Sequence, residues 1–307
     1  MSQLVIVTGA SGFIGRILCA SLIERGYTLV ALSRNPEKGR DMLGDKVQVV
    51  FWDGRSAEGW GHYADGAYAI VNLAGDNIGS GKWTKEKKQS ILQSRLNAGR
   101  AVVDAVKQAQ NKPKVVLQAS GIGVYGDRGD ERCDESTPLG TGFLPDVGRQ
   151  WEASTQGVTD FGVRHAIIRT GVVLGKNDGF LPRNMLPFRL FLGGHFGSGK
   201  QWLSWIHIDD EARAIRFLME NEKAQGVFNL NAPNPLMSKE FAKTLGRSMK
   251  RPSWLPVPGF LLRLLFGEMA DALILSGQRG VPKRLLDLGF EFQYPELESA
   301  LRNILKT

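Results

Sequence analysis

Three glycines spaced three apart, Gly9, Gly12 and Gly15, stand where the apolar run Leu4 to Val7 gives way to Arg16 to Ile23, apolar at helical spacing. Glycine in such a turn permits φ > 0 and lets backbone approach a ligand closely. The helix that follows offers unpaired N–H groups and a positive dipole end. Both features suit a pyrophosphate, and strand, glycine turn and helix in this order open a dinucleotide-binding βαβ unit. The next apolar run, Tyr27 to Leu32, ends in Ser33 and Arg34, with Lys38 and Arg40 close behind. A carboxylate at this place would accept from the ribose 2′-OH of NAD, whereas a guanidinium pairs with the 2′-phosphate of NADP. Arginine's planar fork matches a phosphate, so NADP(H) is the expected cofactor.

Other candidates lie at the ends of later apolar runs. Asp53 follows Val47 to Trp52, where adenine-contacting groups or a turn-capping aspartate are equally at home. Asn72-Leu73-Ala74-Gly75 closes the next run with small residues that leave room for a ribose or permit a tight turn. Val115 to Ser120 leads into Gly121-Ile122-Gly123-Val124-Tyr125-Gly126. Ser120 could hydrogen-bond a substrate carbonyl or satisfy backbone, and Tyr125 is the nearest phenol, either facing the nicotinamide or packed as a structural aromatic. His207 and Asp209 are expected to make buried structural hydrogen bonds, and Arg169 could anchor an anionic substrate or the carbonyls around it. Gly194 to Lys200 imitates a phosphate loop, but Gln201 replaces the Ser or Thr that would bind magnesium, and a strand-like run follows in place of a helix.

The elements that must position these residues alternate strand and helix. Lys85 to Ala109 is the long crossover helix, Phe143 to Thr159 another, and Val163 to Thr170 the sixth strand. This alternation predicts an α/β fold, a right-handed, doubly wound parallel sheet of Rossmann type. Beyond Gly175 the pattern loosens: Asp209 to Glu220 reads as helix, Val227 to Leu230 as a last short strand, then helices over Glu240 to Met249, Phe260 to Ser276 and Glu296 to Leu305. Residues 1–175 with 206–230 are expected to form the NADP-binding domain. Residues 176–205 and 231–307 are expected to form a smaller, mostly helical substrate lobe.

Composition narrows the classes. With 42% hydrophobic residues the chain is ordinary for a soluble protein. No apolar run reaches the roughly 18 residues of a membrane helix, so no membrane partner is expected. The first strand begins by Leu4, so no signal or transit peptide is expected, and the cytoplasm is the default location. Cys19 and Cys133 make neither a disulfide framework nor a metal site. The net charge of +8 is scattered without a nucleic-acid-binding motif, so anionic small ligands, not nucleic acid, are the expected partners.

Taken in order, Thr8 to Gly15 (TGASGFIG), Asn72 to Gly75 (NLAG), Ser120 to Gly126 (S-x-x-x-x-Y-G), Trp205 to Asp210 (WIHIDD) and Gly277 to Leu285 (GQRGVPKRL) resemble the extended and atypical short-chain dehydrogenase/reductases. The branch they are most similar to is NAD-dependent epimerase/dehydratase-like and described as nucleoside-diphosphate-sugar epimerases. The resemblance covers nearly the whole chain. It implies NADP contacts from Gly9, Ser11, Gly12, Phe13 and Ile14, from Ser33 and Arg34, and from Leu73, Ala74, Arg95 and Val173. It implies a reaction on a small polar substrate, either oxidoreduction or sugar-nucleotide epimerisation, for which the residues themselves offer Ser120 and Tyr125 as polarising groups. One departure stands out. The family's Tyr-x-x-x-Lys pair, in which lysine and cofactor lower the tyrosine pKa, is missing: none of the five tyrosines has lysine four residues on. The expected helix reads FLPDVGRQWE, with Glu152 at its end. A cofactor-binding regulator that senses NADP(H) is therefore the alternative to an enzyme.

Overall fold

Neighbouring residues of a strand face opposite ways, and in this chain both faces are covered. The computed structural model describes residues 3–306, so the outermost lobe bounds, 1 and 307, lie outside the described residues. Seven parallel strands form the central sheet: β1 (Leu4–Thr8), β2 (Thr28–Ser33), β3 (Val47–Phe51), β4 (Ala69–Asn72), β5 (Val115–Gly121), β6 (Arg164–Thr170) and β7 (Gly226–Leu230). Their order is β7-β6-β5-β4-β1-β2-β3. Val5 and Val7 pack with Leu18 and Leu22 of α1 (Phe13–Glu24) and with Ile215 and Leu218 of α6 (Ile208–Glu220). Ile6, between them, faces Ala98, Val102 and Ala105 of α3 (Lys85–Gln108). Two-sided burial is why the strands read as continuous apolar runs. The doubly wound sheet expected from sequence is the one observed.

Because β1 pairs with both β2 and β4, the chain leaves it toward opposite edges. At such a switch point the loops diverge and leave a crevice at the carboxyl ends of the strands. Helix α2 (Pro36–Leu43) follows β2, and α4 (Phe143–Ala153) follows β5. Helix α5 (Phe180–Arg189), α7 (Ser238–Met249) and the last helix, Leu297–Leu305, enclose a separate apolar cluster around Trp205 and Phe241.

Two helices differ from expectation. Helix α4 stops at Ala153, not Thr159, and a 3-10 turn over Gln156–Phe161 follows. Buried Thr155 turns its hydroxyl to His165 Nε2 at 2.9 Å, which redirects the chain toward β6. The helix expected over Phe260 to Ser276 is broken. Helix α8 (Gly259–Phe266) ends at Gly267, whose φ of 60° suits only glycine, and two short turns follow over Glu268–Ala270 and Asp271–Leu275.

Candidate functional site

The crevice is built by contact between two strand exits. Gly9 has φ 67°, and a Cβ there would lie 2.9 Å from the carbonyl carbon and oxygen of Leu73. The Gly12 N–H donates to Gly9 O at 2.9 Å, and Gly12 opens α1 with no side chain capping it. The first-turn N–H groups of Phe13 and Ile14 are thus free of side-chain competition, as an anion site requires. Ser11 is held from behind, its carbonyl accepting from Arg16 Nη1 at 3.0 Å. Below Ala74 runs a buried polar chain. The Ala74 N–H donates to Thr8 Oγ1 (3.1 Å), Thr8 Oγ1 to Asn72 Oδ1 (2.6 Å), and Asn72 Nδ2 to Gln118 Oε1 (2.7 Å). This chain locks β1, β4 and β5 in register beneath the cradle.

At the end of β2 the Ser33 hydroxyl donates to Asn35 O and accepts from the Asn35 N–H, a turn that leaves Arg34 exposed beside Gly54. Asp53 spends one carboxylate oxygen on the N–H groups of Arg55 and Ser56, at 2.7 and 3.0 Å. The Ser56 N–H first, then the other bonds of this turn, hold its carboxyl below the usual range. The structure therefore places Asp53 as a turn cap at the rim of the same strand end. Phe13 packs against the loop after Leu174, where a Cβ on Gly175 would sit 2.6 Å from its ring. Val173, Phe13 and Ile14 share one apolar cluster.

Arg95 is buried on α3, its Nη1 donating to Asp76 O (3.0 Å) and Ile91 O (2.8 Å). Its guanidinium lies 4.5 Å from the Trp151 ring centre. Burial draws its pKa down to about 10 against the pull of Asp76, so it stays charged at neutral pH. Arg95 and Trp151 form one wall of a cavity of about 210 Å³ beside the crevice. The strand ends supply Gly121 to Val124 and Thr170 to Val172, α4 supplies Val147 and Gly148, and a roof comes from Ala272 to Gln278. The lining is mostly apolar.

Ser120 and Tyr125 are brought together, but behind that lining. Ser120 Oγ donates to Glu152 Oε1 at 2.6 Å. Glu152 accepts from Arg169 Nε and Nη2 at 2.9 and 2.8 Å, and Arg169 Nη1 donates to the Tyr125 hydroxyl at 3.0 Å. Tyr125 in turn donates to Asn229 Oδ1 at 2.8 Å. The phenol is fully buried, and desolvation pushes its pKa up to about 12, which opposes ionisation. Burial also acts to weaken the Arg169 charge, and Glu152 and Tyr125 more than offset it. Gly148, four residues before Glu152 on α4, has no room for a phenol: a Cβ there would lie 2.2 Å from Val124 Cγ1.

Two acids on α6 escaped the sequence reading. Asp210 is fully buried and clamps the Gln293 and Tyr294 N–H groups at 2.9 and 2.8 Å, while His207 Nδ1 caps the helix by accepting from the Asp209 N–H. Glu211 is fully buried too, with Oε1 accepting from Thr170 Oγ1 at 2.8 Å and Oε2 without a partner among the described residues. Desolvation pushes its pKa up to about 8, so at neutral pH it holds its proton. Thr170 lines the cavity. A signal existed: Glu211 falls between Ile208 and Ile215 on the apolar face of α6, where a carboxyl is out of place.

Comparison with known proteins agrees with this geometry. The family model described as "NAD dependent epimerase/dehydratase family" matches residues 5–230, and one described as "Domain of unknown function (DUF1731)" matches 257–304. The chain is 39% identical to the epimerase family protein YfhF of Bacillus subtilis, over 98% of this chain and 97% of that one. It is 40% identical to the chloroplastic SDR39U1 homolog of Arabidopsis thaliana, over 99% of this chain and 88% of the relative. Among solved structures, human epimerase family protein SDR39U1 (isoform2) with NADPH superposes with a TM-score of 0.89 at 33% identity, covering 98% of this chain and 99% of that one.

Proposed function

The chain belongs to the NAD dependent epimerase/dehydratase family, and from that premise we propose that it is an NADP(H)-dependent reductase of a small, predominantly apolar carbonyl compound. The cofactor fits the residues present. The uncapped start of α1, Gly9 and Gly12 would hold the diphosphate, and Arg34 with Ser33 the 2′-phosphate. Leu73, Ala74 and Arg95 would flank the nicotinamide side. A relative of 33% identity carries NADPH in its crystal structure. When bound, the nicotinamide supplies the capacity to exchange hydride with a substrate carbon.

The observation that carries the proposal is Glu211 on Thr170 at the wall of an apolar cavity. Reduction of a carbonyl needs a proton at the oxygen, and the Tyr-x-x-x-Lys pair that would deliver it is absent. Ser120 and Tyr125 are spent on Glu152, Arg169 and Asn229, so they position β5 and β6 and do not face the substrate. In the structure the Thr170 hydroxyl donates to Glu211 Oε1. With that hydroxyl turned to donate to the substrate oxygen, Glu211, protonated at neutral pH, can donate to Thr170 Oγ1, so that the Thr170 proton goes to the substrate oxygen, the Glu211 proton replaces it and a carboxylate is left. A raised carboxyl pKa is what such a general acid requires. The lining also argues against the polar substrate expected from sequence. Its one charged side chain, Arg95, already donates to two carbonyls, and nothing else there would neutralise a sugar nucleotide's diphosphate.

The test is NADPH consumption with a panel of apolar aldehydes, ketones and quinones beside nucleotide sugars, the latter followed by a product assay because epimerisation regenerates cofactor. Turnover of apolar carbonyls, reduced about a hundredfold or more by Thr170→Val and Glu211→Gln with cofactor affinity intact, is the expected result. Tight NADPH binding without turnover of any compound would favour the regulator, for which the enclosed Ser120 and Tyr125 speak.

A further inference from the structure

The chain's positive charge is not spread evenly. Residues 181–208 contain three Lys or Arg and residues 241–267 five, and neither stretch contains Asp or Glu. These two stretches therefore account for the whole net charge of +8, and the rest of the chain is neutral. Among the described residues, ten of the thirteen exposed large apolar side chains fall in the same stretches, from Leu186 to Leu192 in one and from Trp254 to Leu265 in the other. A folded soluble chain rarely gathers that much apolar surface without a use for it.

The two stretches meet where residues 191–197 bond to residues 254–257. The N–H groups of Trp254 and Leu255 both donate to Gly193 O at 2.9 and 3.0 Å, and Trp254 Nε1 donates to Phe191 O at 2.9 Å. Val257 N donates to His195 O, and Gly197 N to Val257 O. The chain then enters α8, which buries only Leu262 and leaves Phe260 and Leu264 71% and 73% exposed. The Arg251 guanidinium lies 4.5 Å from the Phe191 ring centre, so a cation sits among the apolar groups. Among the described residues Arg263 alone of the eight cations has a carboxylate partner, Asp271.

We propose that this face docks on the surface of an anionic lipid membrane, its apolar side chains among the acyl chains and its cations at the headgroups. Apolar residues, a tryptophan and flanking Lys and Arg are what a surface-bound helix presents to such a boundary. A second copy is a poorer occupant: only Arg263 of the eight cations has a carboxylate partner, so a two-fold contact would set mostly unpaired cations against cations. Nucleic acid would meet the charge but has no use for exposed leucines at this density. From sequence no membrane partner is expected, because no run can span; no helix among the described residues is long and apolar enough to cross a bilayer, and a surface contact needs none.

The test is sedimentation of the full chain with vesicles of phosphatidylcholine, and with vesicles in which about a third of the lipid is phosphatidylglycerol. Binding is expected to the anionic vesicles, weakening as salt is raised. The double variants Phe260→Asp with Leu264→Asp, and Arg189→Glu with Arg251→Glu, should each lower the partition coefficient by about tenfold or more. All four side chains are exposed, and circular dichroism melting checks that the variants fold. No binding to anionic vesicles at low salt overturns the proposal, as does binding that neither double variant weakens. So does a dimer, seen by sedimentation velocity, that Leu264→Asp dissociates while lipid binding is absent.

Discussion

Arg169 grips Glu152 through two N–H···O bonds of 2.9 and 2.8 Å, one to each carboxylate oxygen, with side chains only 6% and 9% exposed. The pair joins β6 to α4 and ties both to Ser120 on β5. Removing one member of a buried pair strands the other charge, which costs about 3–5 kcal/mol. Arg169→Ala is therefore expected to lower the unfolding free energy by about that amount, read from urea denaturation, and Glu152→Gln by less because the amide still accepts from Arg169 and Ser120.

Tyr125 braces Asn229 and Arg169 through its hydroxyl, and a bracing role and a catalytic one separate experimentally. Tyr125→Phe removes the acceptor of Arg169 Nη1 and the donor to Asn229 Oδ1, two buried groups. The expected cost is about 1–3 kcal/mol of stability, with turnover per folded molecule changed by less than about twofold. A catalytic phenol would instead lose about a hundredfold or more in kcat.

Arg34 stands exposed at the end of β2, where the 2′-substituent of a bound dinucleotide comes to lie. Arg34→Ala is expected to weaken NADPH by about ten- to a hundredfold and to leave NADH nearly unchanged, since only the phosphate ester makes the charge-assisted bond. Titration of both cofactors by fluorescence decides it. Equal losses would remove Arg34 from the site.

Glu211 sets a pH dependence whose sign follows from its burial. Its pKa rises from 4.5 to about 8 on folding. Between those values the folded chain keeps a proton that the unfolded chain releases. Stability from this group is thus complete below pH 4.5 and falls as pH rises toward 8, by up to about 1.4 kcal/mol per pH unit. Glu211→Gln is expected to flatten that slope, leaving the variant the more stable of the two at the alkaline end. Urea midpoints measured across the interval for both proteins test it.

Much of this molecule is legible in its residues, and the limits are physical ones. Strands buried on both faces write themselves as runs such as Leu4 to Val7 and Val115 to Ala119, and Gly9, Gly12 and Gly15 mark the turn between β1 and α1. The end of α4 is not legible in the sequence because Thr155 and His165, ten residues apart, bond only in three dimensions. The break at Gly267 carries no clear signal, because an isolated glycine inside an apolar helical pattern is often tolerated. The catalytic candidates were the least legible. Ser120 and Tyr125 stand at the right strand end, but whether a hydroxyl faces a cavity or a buried arginine depends on partners from α4 and β7, over 25 residues away in the chain. Glu211 could have been found, as a carboxyl on the wrong side of an amphipathic helix.

The segment from Gly277 to Leu285 crosses back over the far edge of the sheet. Arg284 reaches the carbonyls of Val227 and Gln225 at 2.7 Å each, Gly280 N donates to Ser204 Oγ at 2.8 Å, and Gln278 Nε2 donates to Gly126 O at 2.8 Å. The ceiling of the cavity is thereby bolted to the outermost strand. A chain cut short after β7 would not survive as a bare coenzyme carrier: it would open its chamber to water and unlatch its own border in the same stroke.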